Sequence, residues 1–308
     1  MKMFNYYNYF SMSMLPLISL SSSDWVLTWF YMEMMLVVFY INFFKINMEL
    51  MMNLSSIKYF IIQSLSGLFL LTSGNMLFYH EENLLFMFLF CFSLMLKLGV
   101  FPFHFWVISV VKYMNLLLLF FLFFTMKIIP LGLMNIFISE ISPLSVLYFI
   151  ILIFSVISML VGSLMGNNFS SLNSMLGSSS ISHSGWFMFS IFTGLLYYYF
   201  FIYGMVMMFL LKSIFSFDNM TSYLSLISLS GLPPFSVFFA KLKILMYLVM
   251  SEYFILIILM MMLSVVSLKF YLKFSFFYFL KNNSNNLYMS WFSMMFLMLN
   301  FSMFFILM

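Results

Sequence analysis

The feature that most limits how this chain can fold is the recurrence, from one end to the other, of apolar runs about 20 residues long. As a helix rising 1.5 Å per residue, each run can cross a hydrocarbon layer roughly 30 Å thick. Transmembrane strands would need only about 10 residues of alternating polarity, and that alternation is missing. With 65% hydrophobic and only 6% charged residues, the chain has too little polar surface for a water-soluble globule. An all-α polytopic membrane protein is predicted, with spans near 4–22, 25–44, 56–78, 84–106, 114–137, 143–165, 172–193, 195–215, 221–249, 253–275 and 289–307, about eleven transmembrane helices. Asp24 reads as the cap of a helix starting at Trp25, and Ser142 with Pro143 as the cap and first residue of another. The longest polar stretch, KNNSNN at 281–286, has only loop length, so residues 1–308 read as a single transmembrane domain.

Charge supports this count. With eleven spans, Lys2, Lys45, Lys112, Lys212, Lys269, Lys273 and Lys281 fall on the side of the N-terminus, joined there by Glu49 and Asp218. Asp24, Glu81, Glu82, Glu140 and Glu252 fall on the other side without a loop lysine among them. Basic loops stay where the chain is made, so the N-terminus is expected on that side and the C-terminus opposite. Keeping the sorting intact requires the first apolar run to be a span rather than a signal peptide.

Several function classes drop out. Cys91 is the single cysteine, which leaves no intrachain disulfide and no cysteine-built iron–sulfur or zinc site. HEEN at 80–83 begins like a zinc-protease helix, but the second histidine position is Leu84. No metal site and no Gly-rich phosphate loop is expected. All 12 basic residues are lysines, a poor composition for a nucleic-acid surface built from guanidinium forks.

Chemistry is therefore expected inside the membrane. Glu33, Lys58, Lys97, Lys127, Lys241 and Lys243 lie within predicted spans. A central lysine opposes insertion by about 2.5–3.5 kcal/mol, so Lys97, Lys127 and Lys241 together cost on the order of 8–10 kcal/mol. Lys58 is near a helix end, where a snorkelling side chain and a place on a path fit equally well. Lys243 is two residues from Lys241 and so on another face; Lys241 is the expected site residue. Four prolines stand near these lysines: Pro102 after Lys97, Pro130 after Lys127, and Pro233 and Pro234 before Lys241. Each removes a backbone donor, and helix breaks at membrane depth are characteristic of ion pathways. His104, and His183 in the Ser-rich SSSISHSGW (178–186), fit either packing hydrogen bonds or proton carriage, with the serine hydroxyls available to hold water.

Five stretches carry a resemblance: WFYMEMM (29–35), SSIKYFIIQ (55–63), KLGVFPFHFWV (97–107), SSSISHSGW (178–186) and SLSGLPPFSVFFAKL (228–242). In order and spacing the chain resembles the subunit 2 family of mitochondrial NADH:ubiquinone oxidoreductase, respiratory complex I, through about residue 245. The resemblance implies an antiporter-like fold with two discontinuous helices and eleven helices in all. By motif it implies Glu33 as the membrane glutamate, Lys97 as its partner on the first broken helix, Lys127 as the central lysine and Lys241 as the terminal lysine on the second. It further implies a core membrane-arm subunit that contributes to proton translocation, sits in the mitochondrial inner membrane and has its N-terminus on the matrix side and its C-terminus toward the intermembrane space. Partners would be the other membrane-arm subunits and the lipid bilayer. NADH, FMN, iron–sulfur clusters and ubiquinone would belong to other subunits, with no redox site in this chain. The sequence departs from the family before SSSISH, where the usual basic residues and tyrosine are absent, and after HFW, where no acid comes next. Two other functions fit the buried lysines and helix breaks: a stand-alone cation/proton antiporter, and a proton-inert membrane scaffold.

Overall fold

The structure, a computed structural model, describes residues 2–46, 50–79, 83–141, 145–282 and 291–307. Among them there are helices and no strands. Two compact units are present, Met1–Phe154 and Ser155–Met308. The predicted Ser142/Pro143 cap, the HEE of HEEN and most of the KNNSNN loop lie outside the described residues.

The first unit contains α1 (Lys2–Ser21), α2 (Trp25–Ile46), α3 (Leu50–Tyr79), α4 (Leu84–Leu98), α5 (Phe105–Val111), α6 (Leu116–Phe120), a π-helical turn (Phe121–Thr125) and α7 (Met126–Glu140). Asp24 stands just before α2, and its carbonyl accepts the Thr28 N–H at 3.1 Å. The third span starts earlier than predicted, at Leu50 rather than 56. α3 packs against both α2 and α4, and α7 against α4. Phe39, Phe43, Tyr59 and Phe123 of this unit are fully or almost fully buried, and the Phe39 ring meets those of Phe43 and Tyr59.

α8 (Val146–Asn168) runs from the first unit into the second, which continues with α9 (Leu172–Phe192), α10 (Leu196–Phe215), α11 (Asn219–Ser230), α12 (Ser236–Met250), α13 (Phe254–Asn282) and α14 (Trp291–Leu307). α11 packs along α13 and α10, while α12 meets α10, α13 and α14. Nearly every described residue of α9 is buried. Its serines satisfy themselves locally: Ser178, Ser179, Ser180, Ser182 and Ser184 each donate to the carbonyl three residues back, at 2.6–2.8 Å. Donating to the helix leaves each oxygen its lone pairs as acceptors.

Among the described residues, six helices are long and apolar enough to cross a membrane by length and composition: Trp25–Phe44, Met51–Leu77, Leu116–Glu140, Val146–Asn168, Leu196–Phe215 and Phe254–Lys281. α13 shows why a bilayer is the fitting solvent: Ile255, Ile258, Met262 and Val265 are all exposed along it. The two expected discontinuous helices are the pairs α4/α5 and α11/α12, separated by residues 99–104 and 231–235. Pro102 and Pro233–Pro234 lie in these links. Pro130 does not behave as expected. It sits inside α7, which continues past it, and the irregularity is one turn earlier, in the π-helical turn. An extra residue in that turn rotates the register of the residues after it and accommodates a missing donor without a break.

Candidate functional site

In the first unit, α4 ends at a left-handed Gly99 (φ 69°), a conformation that glycine adopts without steric cost. The chain crosses Pro102 and resumes as α5. Helix ends leave carbonyls unsatisfied, and here Trp106 of α5 reaches back to donate its indole N–H to the Leu96 carbonyl at 3.1 Å. Lys97, in the last turn of α4, is thereby fixed beside the break. Its ammonium donates to Glu33 Oε1 of α2 at 2.7 Å. The lysine side chain is 3% exposed and the glutamate 23%. Gly67 of α3 backs this pair: a Cβ there would collide with the Glu33 carboxylate. The same residue's carbonyl accepts the Trp29 indole N–H at 2.9 Å.

Lys97 and Lys127 line one small cavity, together with Tyr59, Gln63, Trp106 and Pro130. Its volume of about 30 Å³ suffices for a water molecule or two. Lys127 comes two residues after the π-helical turn. π-helical turns often mark functional sites, and the sequence carries no local sign of this one other than Pro130.

The second unit holds its lysine differently. α11 ends at Gly231, again left-handed (φ 79°). Lys241 lies on the far side of the link, in α12, and donates back to the Ser230 carbonyl at 3.2 Å. Its ammonium also stands 5.3 Å from the centroid of the Trp186 ring, a cation–π contact. The start of α12 is held by Asn300 of α14, whose side-chain oxygen accepts the Ser236 N–H at 3.1 Å and its hydroxyl at 2.7 Å. Asn300 lies beyond the stretch that carries the resemblance, which ends near residue 245, and was not among the expected site residues; the single amide in an apolar run was the available signal.

Of the other candidates, Lys58 is exposed on α3 and joins neither lysine site among the described residues. Lys243 stands over the Tyr198 ring at 5.2 Å, separate from Lys241 as expected. His104 is buried just before α5 against Phe101 and Phe105, and its Nδ1 has no hydrogen-bond partner among the described residues. His183 bonds two tyrosines. Among the described residues, no group of three or more His, Cys, Asp or Glu could hold a metal.

Both the sequence and the fold have counterparts among known proteins. The profile described as "NADH:quinone oxidoreductase/Mrp antiporter, TM" fits residues 22–223. NADH-ubiquinone oxidoreductase chain 2 of Albinaria caerulea is 36% identical over 291 residues, covering 92% of each chain. The chain belongs to the NADH-ubiquinone oxidoreductase chain 2 family. Chain 2 of Anopheles gambiae is 30% identical, covering 89% of this chain and 85% of the relative. The fold is shared more widely. A chain of respiratory complex I from Thermus thermophilus superposes with a TM-score of 0.73 at 19% identity, over 86% of this chain and 67% of that one. One from the Mrp complex of Dietzia sp. DQ12-45-1b gives 0.75 at 18%, over 83% and 57%. The antiporter-like fold expected for a chain 2 family member is thus the fold observed.

Proposed function

We propose that this chain is a core membrane-arm subunit of respiratory complex I and contributes to proton translocation, with Glu33, Lys97, Lys127 and Lys241 as its proton-carrying groups. The observation that carries this reading is the 2.7 Å pair of Glu33 and Lys97 at a helix break, beside a cavity that Lys127 also lines. An opposite charge at hydrogen-bond distance offsets part of the cost of burying Lys97. Drawing Glu33 away leaves Lys97 a buried, uncompensated cation that favours release of its proton, and Lys127 is the next acceptor along the cavity. Lys241, held by a carbonyl and an indole, is the corresponding group of the second unit. Quinone reduction in another subunit is the driving event, and the two are coupled as binding or charge at one site biases a bistable element at another.

On this reading the protein lies in the mitochondrial inner membrane with eleven crossings, the broken helices α4/α5 and α11/α12 each counting as one. It forms a single membrane domain, with the N-terminus in the matrix and the C-terminus toward the intermembrane space. The lysine-rich loops support that orientation. NADH, FMN, iron–sulfur clusters and ubiquinone are held by other subunits.

Gentle detergent extraction of native membranes, then native electrophoresis with an in-gel NADH oxidation stain and mass spectrometry, tests the subunit reading. This chain is expected in a very large NADH-oxidising band. Migration alone or as a small oligomer without that activity would instead support a stand-alone antiporter. For proton carriage, Lys127→Met and Lys241→Met in the assembled enzyme are each expected to lower proton pumping severalfold. A scaffold would tolerate both.

A further inference from the structure

A cavity of about 620 Å³ opens in the first unit, a volume typical of small-ligand pockets. It lies among the start of α2, the end of α3, the start of α4 and the end of α7, so its mouth is at the level where these helices leave the membrane on one side. The first-unit loops of that side carry Asp24, Glu81, Glu82 and Glu140 and no lysine.

The lining is sorted by depth. Ser22, Thr28 and Glu140 belong to the mouth, while Phe90, Leu133 and Phe137 lie further along their helices; Leu133 is seven residues below Glu140, about 10 Å at 1.5 Å per residue. The polar groups have already spent their hydrogens. Ser22 donates to the Ser19 carbonyl at 2.7 Å, Thr28 to the Trp25 carbonyl at 2.6 Å, and the Trp25 indole N–H to Asn75 Oδ1 at 3.3 Å. Both hydroxyl oxygens keep lone pairs, and the exposed Glu140 carboxylate offers only acceptors. No cation forms a salt bridge with Glu140 among the described residues. The Trp25 ring also lines the cavity; it lies where a Cβ on Gly74 would collide with it, with its centroid 5.6 Å from that of Phe90. Acceptors, a carboxylate and an aromatic face together are complementary to a cation that donates hydrogen bonds.

We propose that this cavity seats one phosphatidylethanolamine molecule of the adjoining leaflet. Its ammonium is directed toward Glu140 and the hydroxyl oxygens, and its phosphate stays at the water-facing mouth beside exposed Ser23. One acyl chain lies on Phe90, Leu133 and Phe137 and leaves past Ile136, which is 58% exposed. A primary ammonium has three N–H donors to give these acceptors, whereas the quaternary ammonium of phosphatidylcholine has none. A headgroup of net negative charge would meet the acidic rim with like charge. The seat follows from the membrane setting of the chain and does not depend on proton translocation.

The test uses the assembled enzyme, purified in detergent and reconstituted in phosphatidylcholine vesicles. Trace phosphatidylethanolamine or phosphatidylcholine, each with the same photoreactive acyl chain, is added, and crosslinked peptides are located by mass spectrometry. The ethanolamine probe is expected to label residues 84–90 and 133–140 at least about fivefold more than the choline probe, the scale of a charge-assisted hydrogen bond. Glu140→Gln should bring ethanolamine labelling down toward the choline level, and Leu133→Trp, which fills the apolar floor, should lower labelling by both probes. Equal labelling of the unsubstituted enzyme by the two probes would overturn the proposal. So would an absence of label from these residues with either probe, which would mean that another subunit covers the cavity. An assembled Glu140→Gln enzyme that keeps the full preference would overturn it as well. The comparison of the two probes on the unsubstituted enzyme decides the matter even where a variant does not assemble.

Discussion

The two broken helices use the same backbone device and hold their lysines by opposite means. Each first half ends at a left-handed glycine, Gly99 or Gly231, and in each a side chain from the second half reaches back to a carbonyl of the first. At the first break that reach is made by neutral Trp106, which leaves Lys97 free to pair with Glu33 from another helix. At the second, Lys241 itself reaches the Ser230 carbonyl and rests against Trp186. The first site is a charge pair whose state depends on the geometry of two helices. The second is a single cation stabilised by a helix C-terminal carbonyl and an aromatic face, both fixed dipolar partners. On the proposed reading the first site acts as the switch, because separating two groups changes the charge balance, and the second as a terminal holding place.

The sharpest way to break this contrast is Glu33→Gln. Removing one member of a buried pair costs about 3–5 kcal/mol, with the lower end expected because Glu33 is partly exposed. Thermal unfolding of the purified enzyme should show the loss. Adding Lys97→Met should restore much of the stability and none of the pumping; a double variant no more stable than Glu33→Gln would mean that charge pairing is not what holds the site. Gly67→Ala comes next. Its methyl group would displace the Glu33 carboxylate, at a cost of about 1–3 kcal/mol for overpacking, and pumping should fall although no charge is lost. At the second site Asn300→Ala removes the side chain that holds the start of α12, worth about 1 kcal/mol as a helix cap. It should lower stability while leaving Glu33–Lys97 chemistry unaffected. Lys58→Gln should change stability by less than about 0.5 kcal/mol and pumping not at all, because the lysine is exposed and outside both sites.

Much of this contrast could be read in the sequence, for reasons that differ by element. Helix positions came from apolar run length, which the bilayer sets directly. The breaks came from Pro102 and Pro233–Pro234, and the Glu33–Lys97 pair from motif resemblance across 64 positions. Pro130 misled because a proline's missing donor can be absorbed by a wider turn upstream as well as by a break. Lys241's partners were not legible, since a carbonyl at a helix end is a property of backbone geometry and leaves no residue code. Asn300 was hidden for another reason: its role depends on what it faces across a helix interface. The SSSISHSGW serines donate to their own helix, a use of the hydroxyl that composition does not reveal.

The most direct measurement of the central claim is the number of protons translocated per NADH oxidised by assembled enzyme carrying Lys97→Met, reconstituted in sealed vesicles beside the unsubstituted enzyme and Lys58→Gln. The account predicts a severalfold loss of proton translocation for Lys97→Met, with Lys58→Gln unchanged. Full proton pumping by Lys97→Met would contradict it.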